Sequence, residues 1–431
     1  MNITETIRDL FHQPFFVCFL AIITCCCFYL LKNENRETPK VTRIVFYALF
    51  AITGCIFISN AVYRITHPQV WDFTCFYLWG KVAAGGHDFY RPENLHAVYN
   101  SLNLPALDYK EFTNEIVDVG FFYPPPTILY FAPLGYLSFT AALTCWTIFN
   151  FIFIAGSIYL VYTMFFKEYK LNGLLFVSTM VFIFLPSIET VSFSQTNFIL
   201  LFYLLLMKKY EDKNIAGVLL ALAFFTKPYM LIFGLFFLLR KKWKIIFSFM
   251  ISAAAITGLT VALFGKQPFL TYIYNNPVSR IPAKTFSENI NQSLHAVLLR
   301  QNLITIDKPI LYLGIVGGIL VLTAIFLFFL LKRKKYDIIF VTLLLVGLLI
   351  YAGTLSYYGV LFLFIIAQFF DEKGELGFNR NWLIPLVAII YLLTTFSVFT
   401  AICFLLMVIV FKSCWPSVTS VPYRSGELVK I

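Results

Sequence analysis

Long uninterrupted runs of apolar residues constrain the fold of this chain more than any other feature of its sequence. The runs at residues 14–31 and 44–62 each reach the roughly 18 to 20 residues that a helix needs to cross the hydrocarbon core of a bilayer. Backbone polar groups inside lipid must be satisfied within the protein, and a helix satisfies its own. The runs therefore predict an all-α polytopic membrane protein rather than a barrel.

The composition agrees with that class. The 431 residues are 60% hydrophobic and only 13% charged, whereas soluble domains carry roughly 25% charged residues. Hydropathy along the chain predicts about 12 to 13 transmembrane helices, and we expect a single polytopic membrane domain over residues 1–431. The first apolar run ends without a small-residue cleavage signature, so we expect it to remain as an uncleaved helix.

Basic residues cluster in the short loops between the apolar runs. In a soluble protein the net charge of +11 would suggest nucleic acid, but this distribution follows the positive-inside bias, and we expect no nucleic-acid partner. The predicted spans put these loops on one side, which should be cytoplasmic: Lys32 to Arg43, Lys167 to Lys170, Lys208 to Lys213, Arg240 to Lys244 and Lys332 to Lys335. The other side receives two large outer loops, residues 64–123 and 265–308.

The segment Tyr123-Pro124-Pro125-Pro126 and the apolar residues that follow it are too short to cross the membrane comfortably. We predict a re-entrant or interfacial helix here. Irregular backbone at that depth must be covered by protein or line a wet cavity, and prolines lessen the number of unsatisfied N–H groups.

Asp72 is the single acidic residue of the aromatic stretch WDFTCFYLWG. A carboxylate at a membrane boundary is costly to desolvate unless it is paired or used, which favours a functional role. Asp is also a preferred N-cap, and the following residues predict an interfacial helix with Phe73 and Phe76 on one face, ended by Gly85-Gly86. The sequence leaves both roles open for Asp72, and the two are compatible.

Lys227 and Pro228 interrupt a long stretch of otherwise apolar residues. A lysine at the middle of a transmembrane helix costs roughly 2.5 to 3.5 kcal/mol, whereas a break at Pro228 would place the ammonium at the outer surface. A cation in that position suits a phosphate group. The alternative is a lysine that merely snorkels to the lipid headgroups.

Other polar residues on the predicted outer side have an ordinary and a functional interpretation. The stretch GGHDFYRPENL is typical of a solvated turn, although its aromatic and charged residues also suit a sugar. Amides near the starts of later spans are often helix caps: Gln195, Asn197, Asn291 and Gln292. The nine cysteines lack metal-ligand spacing and predict packing residues, so we expect no metal site.

Taken in order, these segments resemble glycosyltransferase family 87, polyprenyl-phosphate-sugar-dependent enzymes of the GT-C superfamily. The motifs that carry the resemblance are Asp72-Phe73 with Tyr77, Gly86 with Tyr90, Tyr123-Pro124-Pro125, Pro133-Leu134, Ser194-Gln195-Thr196-Asn197 and Lys227-Pro228. The resemblance spans roughly residues 60–370 and implies a GT-C type fold. The sequence departs from the family pattern in two ways: Ser194 replaces a glycine, and Tyr357 and Tyr358 occupy the region of a histidine.

The resemblance implies an inverting transfer of a hexose, with mannose as the family default, from a polyprenyl-phosphate donor to a glycolipid or glycan acceptor. Asp72 would be the general base, and Lys227 would stabilise the leaving phosphate, with Arg91, His87 and Arg280 behind it. The sugar and acceptor pocket would be lined by Tyr77, Tyr90, Tyr123, Gln195, Asn197, Asn291, Gln292, Tyr357 and Tyr358. Because lysine or arginine alone can neutralise a monophosphate, we expect no cofactor.

Two alternatives remain at this point. A lipid or sugar transporter or flippase also uses broken helices, but it predicts polar residues at mid-bilayer and often an internal repeat. A non-catalytic assembly partner would use Asp72 as a cap and Lys227 as a snorkelling residue. For the transferase, we expect the bacterial inner membrane with the active site facing outward, because a lipid carrier brings sugars to the side that nucleotide sugars do not reach.

Overall fold

The computed structural model describes residues 13–32, 40–67, 71–102, 117–275, 280–281, 286–305 and 309–414. Within these residues the chain is helical and forms no strand, which confirms the all-α class. The α-helices are α1 Pro14–Lys32, α2 Lys40–Thr66, α3 Trp71–Ala84, α4 Pro92–Ser101, α5 Phe139–Val161, α6 Lys170–Ile183, α7 Leu185–Ser192, α8 Asn197–Lys209, α9 Ile215–Thr226, α10 Ile232–Leu239, α11 Trp243–Phe264, α12 Gln267–Asn275, α13 Leu294–Arg300, α14 Pro309–Lys332, α15 Tyr336–Ile350, α16 Phe362–Phe369, α17 Arg380–Phe396 and α18 Val398–Cys414.

The long apolar helices make the protein polytopic. Five described segments are long and apolar enough to cross a membrane by length and composition: Pro14–Lys32, Lys40–Thr66, Phe139–Ile183, Trp243–Phe264 and Ile310–Lys332. The third of these reverses at Lys170, where φ is 48°, and α5 packs against α6. Shorter apolar helices of the described residues lie at Ile215–Thr226, Pro228–Leu239, Tyr336–Ile350, Ser356–Phe369, Arg380–Phe396 and Val398–Cys414.

Ion pairs join the basic loops at one end of the helices, which we call the basic end. The pairs that connect different loops include Lys208–Asp337, Arg240–Glu211 and Lys32–Glu372. These contacts support the predicted placement of the basic loops on one side. Residues 33–39 of the first loop lie outside the described residues.

At the opposite end, α3 packs against two short 3-10 helices, Pro125–Tyr130 and Ala132–Tyr136. The approach is so close that a Cβ on Gly80 would lie 2.1 Å from the carbonyl oxygen of Phe131. The rings of Phe76 and Phe131 stack with centroids 4.4 Å apart. The proline segment therefore does not cross the membrane as a helix and is covered by protein, as predicted.

The predicted break at Pro228 is also present. Helix α9 ends at Thr226, and a 3-10 helix, Pro228–Leu231, leads into α10. Lys227 between them is extended, with φ −149° and ψ 117°, because proline disfavours helical backbone in the preceding residue. Since α9 begins and α10 ends at the basic end, Lys227 lies at the opposite end.

The short helix α7 joins α6 to α8 at that same end and packs against a 3-10 helix, Ser356–Leu361. Two buried donors fix the contact: Thr190 Oγ1 and Asn197 Nδ2 reach the carbonyl oxygen of Tyr357 at 3.3 and 3.4 Å. The position of Tyr357 is thereby set by helices distant in the chain.

The described parts of the two predicted outer loops contain α4, α12 and α13. Their remaining parts, residues 68–70, 103–116, 276–279, 282–285 and 306–308, lie outside the described residues.

Candidate active site

Asp72 lies in the first turn of α3, at the edge of the helical core. Its Oδ2 accepts a hydrogen bond of 2.6 Å from Nε2 of Gln195. The helix begins at Trp71, so Asp72 follows the N-cap position. Burial raises the pKa of its carboxyl to about 6, although the bond from Gln195 and the charge of Lys227 lower it. Because Asp72 is partly exposed to solvent, a substrate hydroxyl can reach its carboxylate.

Gln195 is held by a strained turn between α7 and α8. Ser194 adopts φ 55°, a left-handed conformation that favours glycine, which accounts for the glycine in the family motif. Trp146 Nε1 donates to the Ser194 carbonyl at 2.7 Å, and the Gln195 N–H donates to the Thr190 carbonyl at 2.9 Å. The side-chain Oε1 of Gln195 is buried and has no hydrogen-bond partner among the described residues.

Lys227 is buried, with 3% of its surface exposed, rather than lying at the outer surface or snorkelling. Its Nζ donates to the hydroxyl of Tyr123 at 2.8 Å and lies 5.2 Å from the ring centroid of Tyr358. Burial lowers the pKa of this turn residue to about 7, and the charge of Asp72 opposes the shift. No carboxylate of the described residues pairs with Lys227, so its charge remains available to an anion.

Tyr357 and Tyr358 form a pair of stacked rings at the candidate site. Their rings stack with centroids 5.6 Å apart, and both are almost fully buried. Tyr357 interacts electrostatically with Asp72, while Tyr358 lies against Lys227. The region in which the resemblance implies a histidine is thus filled by two tyrosines, one of which lies against Lys227.

Three predicted pocket residues hold the backbone of neighbouring segments. The Tyr77 hydroxyl donates to the Leu137 carbonyl at 3.0 Å, and the Tyr90 hydroxyl donates to the Tyr123 carbonyl at 2.5 Å. Asn197, fully buried, donates to the Tyr357 carbonyl as described above. These contacts favour positioning roles over direct contact with a sugar.

Asn291 and Gln292 anchor the second outer loop. Asn291 Nδ2 donates to the Ala352 carbonyl at 2.9 Å, and its backbone pairs with that of Leu355 in an antiparallel bridge. Gln292 Oε1 accepts a hydrogen bond of 2.7 Å from Ser397. Asn291 therefore holds the loop beside the segment that leads into Tyr357, and Gln292 holds it against Ser397 between α17 and α18.

The other predicted cations do not join Lys227. Arg91 is exposed and lies 3.6 Å from Asp88, and Arg280 donates to the Tyr90 carbonyl at 2.9 Å. His87 is exposed. Among the described residues no hydrogen bond or ion pair links any of the three to Lys227. Similarly, no group of three or more His, Cys, Asp or Glu side chains in the described chain could hold a metal ion.

Glu189 on α7 is the main residue that sequence reasoning missed. It interacts electrostatically with Tyr357 and lies near Ser356. The signal was available, because Glu189 is the single acidic residue of the stretch FLPSIETVSF, just as Asp72 is in its own stretch. Tyr229 was also missed, with its ring 5.9 Å from that of Tyr358.

The family model for glycosyltransferase family 87 matches residues 121–357, more than half of the chain. The match includes Tyr123, Gln195, Lys227 and Tyr357 and begins after Asp72. No curated protein and no solved structure matches the chain.

Proposed function

The chain belongs to glycosyltransferase family 87. From this membership we propose that it moves a hexose from a polyprenyl-phosphate donor to a glycolipid or glycan acceptor, and mannose is the first candidate for that hexose. The protein is a membrane glycosyltransferase, and the proposal concerns its donor, acceptor and mechanism. We also propose a bacterial inner membrane location with the site facing outward, supported by the basic loops gathered at the end opposite Asp72 and Lys227.

One observation carries the mechanism: a carboxylate and an ammonium lie in the same cluster without forming an ion pair. Asp72 is bound by Gln195 and Lys227 by Tyr123, and their charges still interact. A base and a cation kept apart in this way can act on opposite sides of one sugar. This is the arrangement that an inverting transfer from a phosphate ester needs.

In the proposed reaction the acceptor oxygen attacks the anomeric carbon as Asp72 takes its proton. The bond between that carbon and the phosphate oxygen breaks, and its electron pair leaves with the polyprenyl phosphate. Asp72 is suited to accept the proton because its pKa, raised to about 6, still leaves it ionised near neutral pH. A positioned base of this kind contributes about 10² to 10⁴ in rate.

Lys227 would stabilise the charge that develops on the leaving phosphate. Its ammonium is already desolvated and oriented by Tyr123 and Tyr358, so little reorganisation is needed during the reaction. The ammonium alone can compensate much of a monophosphate charge, and the absence of a cofactor remains a prediction.

The test compares wild-type protein with Asp72→Asn in membranes supplied with polyprenyl-phosphate-mannose carrying a radiolabelled sugar. We expect transfer to endogenous acceptors to fall by about 10² to 10⁴, because the amide keeps the shape but cannot take a proton. Asp118→Asn, at an exposed aspartate paired with His96, is the matched control and should retain activity.

Equal labelling by wild type and Asp72→Asn, at matched abundance and above a deletion control, would show that Asp72 is not the base. If wild type transfers no label, polyprenyl-phosphate-mannose is not the donor. Transport of the same lipid across the membrane would then be measured, since a flippase was the alternative.

A further inference from the structure

Helix α12 of the second outer loop turns an apolar face outward. Leu270, Ile273 and Tyr274 are spaced three and four residues apart, so they share one side of the helix, and we call them the apolar face of α12. Ile273 and Tyr274 are 69% and 79% exposed. Gln267 is the polar residue at the edge of this face. A contiguous exposed apolar patch indicates an interaction surface.

The opposite side of α12 is fixed to the protein beside the candidate site. Thr271 Oγ1 donates to Asp88 Oδ2 at 2.7 Å, and the ring of Tyr272 lies 5.5 Å from that of Tyr90. The helix also packs against the 3-10 helix Pro125–Tyr130. Because these contacts fix the rotation of α12 about its own axis, the apolar face is turned away from the protein.

The length of α11 places α12 at a membrane boundary. The span Trp243–Phe264 has 22 residues, which at 1.5 Å per residue make about 33 Å, close to the roughly 30 Å of a hydrocarbon core. Trp243 is exposed at its basic end, and tryptophan is enriched at the interface between lipid and water. The other boundary therefore lies near Phe264, and α12 begins shortly after it, at Gln267.

The surface of α11 that leads to this boundary is apolar and exposed. It includes Leu259 and Leu263, which face lipid in a transmembrane helix. Lys266, exposed between the two helices, can reach the phosphates of lipid headgroups. Three residues span at most about 11 Å, so α12 starts close to the lipid-facing surface of α11.

We propose that α12 lies along the membrane surface at the end opposite the basic end, with its apolar face among the outermost parts of the lipid hydrocarbon chains. Helices of this kind bury one apolar face at the boundary between headgroups and chains. Tyr274 in the last turn suits that boundary, where tyrosine is enriched. The inference depends only on the membrane location of the protein and not on its donor, its acceptor or the roles of Asp72 and Lys227.

The inner contacts of α12 connect this lipid surface to the candidate site. Tyr90, which lies against α12, donates its hydroxyl to the Tyr123 carbonyl, and the Tyr123 hydroxyl accepts from Lys227. A helix held in the lipid surface therefore supports the segment that carries the hydrogen-bond partner of Lys227.

The test is photolabelling of the full-length wild-type protein in nanodiscs of phosphatidylcholine that carries a diazirine on its acyl chains, close to the glycerol. Trypsin cleaves after Lys244, Lys266 and Arg280, so α11 and α12 fall in separate peptides, residues 245–266 and 267–280. Fragment masses locate the label within each peptide.

We expect label on the apolar face of α12 to be within about threefold of that on α11, because both would contact lipid chains. The control is the tryptic peptide of residues 374–380, from the loop between α16 and α17 at the basic end. It should carry at most about a tenth of the label on α11, because charged and polar loops stay outside the hydrocarbon.

A double variant tests whether the apolar face itself holds α12 in the lipid. Leu270→Asn with Ile273→Asn leaves the contacts of Thr271 and Tyr272 in place. Label on α12, measured relative to α11 in the same sample, should fall at least about threefold, because apolar burial drives the insertion of such helices. Gln267→Asn, at the edge of the face, is the matched control and should label like wild type.

Two outcomes overturn the proposal. Label on wild-type α12 no greater than on residues 374–380 would show that the apolar face does not contact lipid. Undiminished label in the folded double variant would show that protein contacts alone hold the helix near the membrane. Failure of transfer from polyprenyl-phosphate-mannose would refute the proposed donor and leave both labelling results unchanged.

Discussion

Replacing Gln195 by methionine should change the pH at which the enzyme gains activity. Gln195 Nε2 donates to Asp72 Oδ2 at 2.6 Å, a bond that stabilises the ionised carboxylate and lowers its pKa. Methionine has nearly the same length and cannot donate. The pKa of Asp72 must therefore rise in Gln195→Met, and the acidic limb of the rate profile must move toward higher pH.

The size of the shift follows from the charge of the acceptor. A hydrogen bond to a charged group contributes about 1.5 to 3 kcal/mol, and one pKa unit corresponds to about 1.4 kcal/mol. Loss of the bond should thus raise the pKa by about one to two units. Starting from a value of about 6, the variant should be impaired near neutral pH and recover in alkaline solution.

The assay is kcat as a function of pH with a saturating polyprenyl-phosphate-sugar donor, because bound phosphate should keep Lys227 protonated across the range. Gln301→Met, at an exposed position after α13, is the matched control. An acidic limb that stays in place, or moves to lower pH, would refute the view that Gln195 tunes an Asp72 base.

Two further substitutions test other parts of the structure. Lys227→Met should lower kcat/KM for the donor by at least about 30-fold, because losing one member of a buried charge contact costs about 2 to 5 kcal/mol. The control is Lys266→Met, at an exposed lysine before α12, which should keep the wild-type kcat/KM. Steady-state kinetics that show equal losses in the two variants would contradict the role of Lys227 in binding phosphate. Gly80→Ala should destabilise the protein by about 1 to 3 kcal/mol, because the new Cβ would lie 2.1 Å from the Phe131 carbonyl oxygen. Thermal unfolding measures this against Gly317→Ala, where a Cβ meets nothing within 4 Å, and equal stability of the two variants would rule out the close approach.

Local sequence signals predicted the parts of the fold that depend on local chemistry. The break at Lys227 follows from the backbone restriction that Pro228 imposes, and the end of α3 follows from Gly85-Gly86, with Gly86 at φ 73°. The contact between α7 and the 3-10 helix Ser356–Leu361 was not predictable, because its hydrogen bond from Thr190 to Tyr357 joins residues 167 positions apart and neither segment carries a local signal for the other.

The same distinction applies to the site. Asp72, Gln195 and Lys227 were identified by residue type, but the hydrogen bonds of Asp72 and Lys227 join residues 123 and 104 positions apart. Residue type also does not tell whether a polar side chain lines the pocket or binds a neighbouring backbone group. Asn197 is of the second kind, because it donates to the Tyr357 carbonyl. Glu189 could have been found, since the cost of burying a lone carboxylate applies to it as it does to Asp72.

Asp72 is carried by α3, and Lys227 is carried by the break between α9 and α10. The separation of the proposed base and cation therefore depends on the distance between these helices. Transmembrane helices tilt to match bilayers of different thickness, and tilting of α9 and α10 would change that separation. Bilayer thickness would thus govern both how readily a lipid donor enters between the helices and how well the reacting groups are aligned.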